Sequence, residues 1–135
     1  MQRQHLGFLL IYLLVLAVGG CVPATYVEVP ALRGRVVNPG ARPAGDAVVQ
    51  VLRDSDHAEV ATFHTNADGT FSRPEQGRFY FQFAGADGVL TTYSVTATAS
   101  GRRSPTTQVS DGIRRWFLFY YDPPLDRDLG TLQLR

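Results

Sequence analysis

Short runs of β-branched and aromatic residues, separated by turn-forming clusters, dominate the chain after Pro30. No stretch of this part repeats apolar residues at helical spacing. From Thr92 to Ala99, apolar and hydroxyl-bearing residues alternate, as a strand with one dry and one wet face requires. The pattern predicts an all-β fold, a sandwich of two sheets with their dry faces together. We expect strands at Leu32 to Val37, Ala47 to Arg53, Glu59 to Thr65, Thr70 to Arg73, Arg78 to Phe83, Thr92 to Ala99, Thr106 to Ser110, Arg115 to Tyr121 and Thr131 to Leu134.

A second alternating run places Phe79, Phe81 and Phe83 on one strand face, opposite Tyr80 and Gln82. We expect the phenylalanine face to be the dry one.

Turn-forming residues after Thr65 predict a hairpin between two of these strands. Asn66 and Asp68 carry side chains that cap a turn, and Gly69 tolerates a positive φ angle. The same residues fit a calcium loop poorly, because His64 occupies the first ligand position, where calcium requires oxygen. We therefore interpret Asn66, Asp68 and Gly69 as a structural turn.

The first 20 residues predict an export signal. Arg3 precedes an apolar run from Leu6 to Val18, which is shorter than the roughly 20 apolar residues of a spanning helix. An uncleaved membrane anchor and an ordinary secretory signal are the alternatives. The tetrad that follows the run resembles the lipobox of bacterial lipoproteins: Val18, Gly19, Gly20 and Cys21.

This resemblance implies that the Cys21 thiol receives a diacylglycerol and that the bond before Cys21 is cut. The new amino group would then be acylated, as by palmitate, and the lipid on Cys21 would hold the protein on a membrane. Gram-negative lipoproteins with aspartate after the cysteine tend to stay at the inner membrane, but this chain has Val22 there. We expect an outer-membrane anchor facing the periplasm, with an inner-membrane anchor as the alternative.

Composition limits the partners and the stabilising chemistry. The 13 basic and 12 acidic side chains nearly cancel, and the basic pairs Arg102-Arg103 and Arg114-Arg115 are too small for a nucleic-acid footprint. The single cysteine excludes an internal disulfide, so the fold must depend on packing. We expect a signal peptide over 1–20, an aperiodic tether over 21–30 and one domain over 31–135.

Three segments and the chain end resemble the carboxypeptidase regulatory-like domain. They are a Gly-x-Val strand at Gly34 to Val37, a small-x-Val-x-Val strand at Gly45 to Val51, a turn at Thr65 to Phe71, and a short final strand at Asp128 to Leu134. Asn66 replaces the first aspartate of that family's turn. The resemblance implies a transthyretin-like (prealbumin-like) sandwich of about seven strands and a non-catalytic module for binding, spacing or assembly.

No catalytic constellation is evident, and we predict no cofactor. After cleavage, His57 and His64 are the remaining histidines, whereas a zinc site needs three or four convergent ligands and Cys21 is expected to be acylated. A metal-dependent enzyme using His57 and His64 is the least favoured alternative. The chain also lacks a Gly-x-Ser-x-Gly elbow and a glycine-rich phosphate loop.

The aromatic run after Arg114 and Arg115 is the candidate interaction surface. Strand alternation puts Trp116, Leu118 and Tyr120 on one side of this run. A sandwich strand buries one side, so the other is either covered by loops or open to an envelope protein or a glycan. The sequence thus favours a lipid-anchored binding or assembly module, with a carbohydrate-binding or envelope-spacer module as the alternative.

Overall fold

The computed structural model describes residues 21–83, 90–111, 113–115 and 127–135, together with Gly7, Leu13 and Leu14. Within these ranges after residue 20, the chain forms strands and turns and no helix. The predicted all-β class is confirmed. The described strands are β1 (Cys21–Val29), β2 (Leu32–Val37), β3 (Val48–Arg53), β4 (Glu59–His64), β5 (Thr70–Arg73), β6 (Gln76–Phe83), β7 (Thr91–Ala99), β8 (Arg102–Arg103), β9 (Thr107–Asp111), β10 (Ile113–Arg115) and β11 (Arg127–Gln133).

Two of the sheets form the sandwich. One has the order β4-β3-β7-β8, with β9 also paired to β7, and the other has the order β11-β2-β5. Buried apolar side chains of both sheets form a common core that includes Leu32, Val36, Val49, Val51, Phe71, Tyr93, Val95, Ala97, Val109, Leu132 and Leu134. Burial of such side chains is the main favourable term in folding, so this core fixes how the two layers face each other.

The alternation in β7 is confirmed. Tyr93, Val95 and Ala97 are fully buried, whereas Thr92 and Ser94 between them are only half-buried. Thr96 departs from the pattern, because it is buried as well. β7 lies between β3 and β9, in the middle of its sheet, and this position explains why its dry face is so completely covered.

Residues 21–30 are not an aperiodic tether, contrary to the sequence-based expectation. Residues 21–29 form β1, the middle strand of a third sheet with the order β10-β1-β6, which we call the amino-terminal sheet. Ala24 and Val27 of β1 are both buried. They are three residues apart, so their side chains lie on opposite faces of the strand. A strand that buries residues on both faces shows no alternation, and this is why its sequence did not look like a strand.

The amino-terminal sheet prolongs one layer of the sandwich. β1 runs into β2, and β5 runs into β6, so one long antiparallel ribbon contains all four strands. The register of Val29 with Gln76 is the same as that of Leu32 with Arg73, and a bulge at Glu28 shifts the register beyond it. Pro30 and Pro74 stand at the junction, where each removes one N–H donor from the ladder.

The turn at residues 66–69 connects the two layers of the sandwich and is not a hairpin within one sheet. β4 before the turn pairs with β3, whereas β5 after it pairs with β2. Gly69 has a φ of 78° and lies against β2, where the Val36 amide donates to the Gly69 carbonyl at 2.8 Å. A Cβ at this glycine would lie against the Val36 carbonyl oxygen, so only glycine fits both the conformation and the space.

Candidate functional site at the Cys21 end of the amino-terminal sheet

Cys21 is the first residue of β1 and is already paired within the sheet. Its register partner is Phe83 of β6, and Pro23 is opposite Phe81. On the other edge, β10 pairs with β1 as far as Ala24 opposite Arg115. Both neighbours are antiparallel to β1, so the carboxyl ends of β6 and β10 lie toward Cys21.

Hydrogen bonds from two tyrosine hydroxyls connect β1 to the opposite layer of the sandwich. The Tyr93 hydroxyl donates to the backbone carbonyl of Val27 at 2.7 Å, and the Tyr26 hydroxyl shares a 2.9 Å hydrogen bond with the Thr91 hydroxyl. Tyr93 and Val27 are fully buried. A buried carbonyl without a partner costs about 1–3 kcal/mol, so the Tyr93 hydroxyl is needed where β1 crosses the core.

The environment of Tyr93 keeps its phenol protonated. Burial is the largest cause, and the neighbouring Tyr26 and Asp111 add to it, so that the pKa of Tyr93 rises to about 12. Arg53 opposes this rise by favouring the charged form. The hydroxyl is therefore a hydrogen-bond donor to Val27 throughout the physiological pH range.

The predicted interaction surface lies only partly within the described residues. Arg114 and Arg115 belong to β10, where they are register partners of Thr25 and Ala24. Trp116, Leu118 and Tyr120 lie outside the described residues, as do Val18, Gly19 and Gly20 of the lipobox. The structure thus brings the arginine pair and Cys21 onto one sheet, a proximity that no local sequence pattern signals.

Apolar side chains are exposed on and beside this sheet. Phe79 of β6 is 57% exposed, so the phenylalanine face is not dry at this position, contrary to the prediction. Leu90, just before β7, is 77% exposed. Nearby, Glu28 at the bulge forms an exposed ion pair with Arg78 of β6 at 2.9 Å, which contributes at most about 1 kcal/mol.

The two histidines do not assemble a metal site in the described part of the chain. His64 Nδ1 lies 2.8 Å from an Asp46 carboxylate oxygen, and both side chains are exposed. His57 lies in the turn before β4 with a φ of 55°. Among residues 21–83, 90–111, 113–115 and 127–135, no group of three histidine, cysteine or acidic side chains is placed to hold a metal ion.

A polar network that the sequence did not suggest joins the turn after β3 to β7 and β9. The Ser94 hydroxyl donates to the Asp54 carboxylate at 2.5 Å, and the Gln108 side-chain amide donates to the same carboxylate at 3.3 Å. The network holds the turn against the sheet, and its residues are far apart in sequence.

The predicted turn residues are held by their own hydrogen bonds. The Gly69 amide donates to the Asn66 carbonyl at 2.9 Å, and the Thr70 amide and hydroxyl both donate to Asp68 Oδ1, at 3.0 and 2.6 Å. The Thr70 hydroxyl, followed by the Thr70 amide, lowers the pKa of Asp68. Asn66, Asp68 and Gly69 therefore form a turn whose oxygens serve local structure.

None of the helical residues that the structure describes belongs to a helix long and apolar enough to cross a membrane. No protein-family model and no curated protein matches the chain.

Proposed function

We propose that this chain is a non-catalytic lipoprotein of the bacterial envelope, anchored by lipid on Cys21. Residues 1–20 direct export, and cleavage before Cys21 leaves a β-sandwich that faces the periplasm from the outer membrane. In this proposal the domain is a carboxypeptidase regulatory-like module that binds or assembles with other envelope components, and it uses no cofactor.

The observation that carries the proposal is the lipobox-like tetrad, which ends at Cys21. Cys21 is itself the register partner of Phe83 in β6. A cut before Cys21 would therefore leave every described pair of β1 with β6 and β10 intact. Cleavage at the site that the motif implies is thus compatible with the fold of the described chain.

The anchor is tested by intact-mass measurement of the membrane fraction. We expect a mature protein that starts at Cys21 and carries diacylglycerol and an amide-linked acyl chain. Cys21→Ser should remove the lipid and the cleavage, whereas Val22→Ala, its matched control, should keep both. An unmodified protein that starts at Met1 would contradict the proposal.

Density separation of the two membranes tests the location. The proposal expects the acylated protein in the outer-membrane fraction, and recovery in the inner-membrane fraction would replace the outer-membrane anchor with the inner one.

The class of partner is tested by two parallel binding experiments. Recovery of an envelope protein by pull-down from detergent-solubilised envelopes supports an assembly module, whereas specific binding on a glycan array supports the carbohydrate-binding alternative. Elemental analysis of the purified protein addresses the metal-dependent alternative. Stoichiometric zinc, iron or copper that is lost in His57→Ala and His64→Ala would contradict the non-catalytic proposal.

A further inference from the structure

The residue that carries the proposed anchor is itself part of a folded sheet. Cys21 is paired with Phe83, so no unpaired chain separates the lipidated residue from the sheet. Acyl chains on Cys21 would lie in the hydrocarbon core, which places Cys21 at the boundary between hydrocarbon and headgroups. Whatever lies beside Cys21 in the sheet must then lie at the same depth.

The spacing of residues in paired strands gives the distance of each neighbouring position from Cys21. Opposite residues of antiparallel strands have Cα atoms about 4.5–5.5 Å apart, and two residues along a strand add about 7 Å. For a strand that stands along the bilayer normal, Phe83 is therefore level with Cys21, and Phe81, opposite Pro23, is about 7 Å further from the hydrocarbon core. Since the headgroup layer adds about 5–7 Å on each side of the hydrocarbon core, both phenylalanine positions fall within or at the edge of it.

We propose that the Cys21 end of the amino-terminal sheet, with Phe83 and Phe81, is a membrane-contacting surface seated among phospholipid headgroups. Because β1 is paired, it holds the sandwich at a fixed distance and orientation above the bilayer. This inference rests on the proposed acylation of Cys21.

The charge order along the sheet fits a phospholipid surface. Arg115 and Arg114 are the register partners of Ala24 and Thr25, about 10–13 Å along β1 from Cys21. Arg78, opposite Tyr26, is exposed. Aromatic positions thus lie nearest the proposed lipid, and basic positions follow. Hydrocarbon and phosphate have the same order in a bilayer leaflet. Anionic headgroups attract such arginines.

The attachment of β1 to the sandwich makes the sheet a support of defined length. The Tyr93 hydroxyl holds the Val27 carbonyl, and the ribbon continues from β1 into β2 within the core. Six residues separate Cys21 from Val27, which corresponds to about 20 Å of strand. The sandwich core therefore stands about 20 Å from the anchor.

A spin-label experiment on the full acylated protein tests this surface. Once Cys21 is acylated, Phe83→Cys provides a free thiol for a nitroxide label, and Gln76→Cys provides the matched control at the other end of β6. The probe membrane is a vesicle of phosphatidylethanolamine and phosphatidylglycerol. We expect a several-fold higher ratio of oxygen to nickel-chelate accessibility at position 83 than at position 76, with Phe81→Cys between them.

Equal ratios at positions 83 and 76 on an acylated protein would overturn the inference and leave the proposed function intact. Absence of acyl groups on Cys21 by intact mass would overturn both. Should Phe83→Cys fail to fold, Gln82→Cys, whose register partner is Val22, reports a position about 3.3 Å further along the strand, between those of Phe83 and Phe81. Label protection at position 83 that persists without vesicles would show coverage by protein and would also overturn the inference.

Discussion

Buried apolar side chains from two facing sheets hold the sandwich together, whereas β1 of the amino-terminal sheet buries Ala24 and Val27 outside that core and is held by backbone ladders and two tyrosine hydroxyls. Of the described side chains in β1, Val29 alone belongs to the main apolar core. The rest of that core comes from the two sandwich sheets, the loop between β2 and β3, and Leu134 directly after β11.

The two halves of the ribbon, β2 with β5 and β1 with β6, therefore have different roles. β2 and β5 contribute Leu32, Val36 and Phe71 to the core and so specify the fold. β1 and β6 continue the same strands as far as the pair of Cys21 with Phe83, so they would specify where the proposed lipid on Cys21 lies relative to that fold. Substitutions should accordingly affect global stability in one part and the attachment of β1 in the other.

The largest effect is expected in the sandwich, from Leu32→Ala. Leu32 is fully buried, so truncation should lower the free energy of unfolding by about 2–5 kcal/mol through lost burial and a residual cavity. Urea denaturation followed by circular dichroism measures the change. Leu90→Ala, at a 77% exposed position, is the control and should stay within about 0.5 kcal/mol. Equal losses in the two variants would contradict the assignment of Leu32 to the stabilising core.

A slightly smaller loss is expected at the turn that links the layers. Gly69→Ala combines a left-handed backbone with contact against the Val36 carbonyl, and should cost about 2–4 kcal/mol. Gly40 has a similar φ of 85° but no atom within 4 Å of its added Cβ. Gly40→Ala should therefore cost only about 1–2 kcal/mol, the strain alone. If denaturation gives the same loss for both, the close approach to Val36 is not destabilising.

The comparison is sharpest at Tyr93, a core residue whose hydroxyl acts on β1. Tyr93→Phe keeps the ring but removes the buried hydrogen bond to the Val27 carbonyl, and should cost about 1–3 kcal/mol. Amide hydrogen exchange should accelerate in residues 21–29 more than in β3 or β7. Tyr26→Phe, which removes a half-buried hydrogen bond to Thr91, should have a weaker effect. Uniform acceleration across the chain would mean that Tyr93 does not act through β1.

The pH dependence of Tyr93 follows from its raised pKa. Because the folded-state pKa is about 12, above the ordinary value of 10, its stabilisation is complete below pH 10 and is lost as the pH rises through 12. Tyr93→Phe should remove this part of the alkaline destabilisation.

The smallest effect is expected at Asp68. Its pKa lies below the ordinary value, so the carboxylate stabilises the folded state above that value and loses this contribution as the pH falls through the folded-state pKa. Thr70→Val removes the hydroxyl that is the main cause, and should raise the pKa of Asp68 in an NMR titration. An unchanged titration in Thr70→Val would contradict the assignment of Thr70 as that cause.

Local sequence patterns were sufficient where a strand buries one face. The expected bounds of β2 and β5 match the structure, and the alternation in β7 identified Tyr93, Val95 and Ala97 as core residues. β1 was missed because both its faces are buried and a bulge interrupts its register. Its partner, β6, is far away along the chain, since even the nearest pair joins Val29 to Gln76, and such pairing leaves no local signal.

The turn and the anchor region show the same limit. The residue types at Asn66, Asp68 and Gly69 predict a turn. The sheets on either side of it depend on strands that are distant in sequence, so the predicted hairpin is wrong. Likewise, the tetrad that ends in Cys21 pointed to lipid attachment, yet the neighbours of Cys21 became visible only through the register with Phe83.

The central place of β1 between two antiparallel neighbours also has a mechanical consequence. Ladder hydrogen bonds lie perpendicular to the strands, so a pull on Cys21 along the β1 axis loads many of them simultaneously in shear. If Cys21 carries the proposed lipid, tension between the membrane and the domain would thus be resisted by the ladder as a whole, and would not break its bonds one after another.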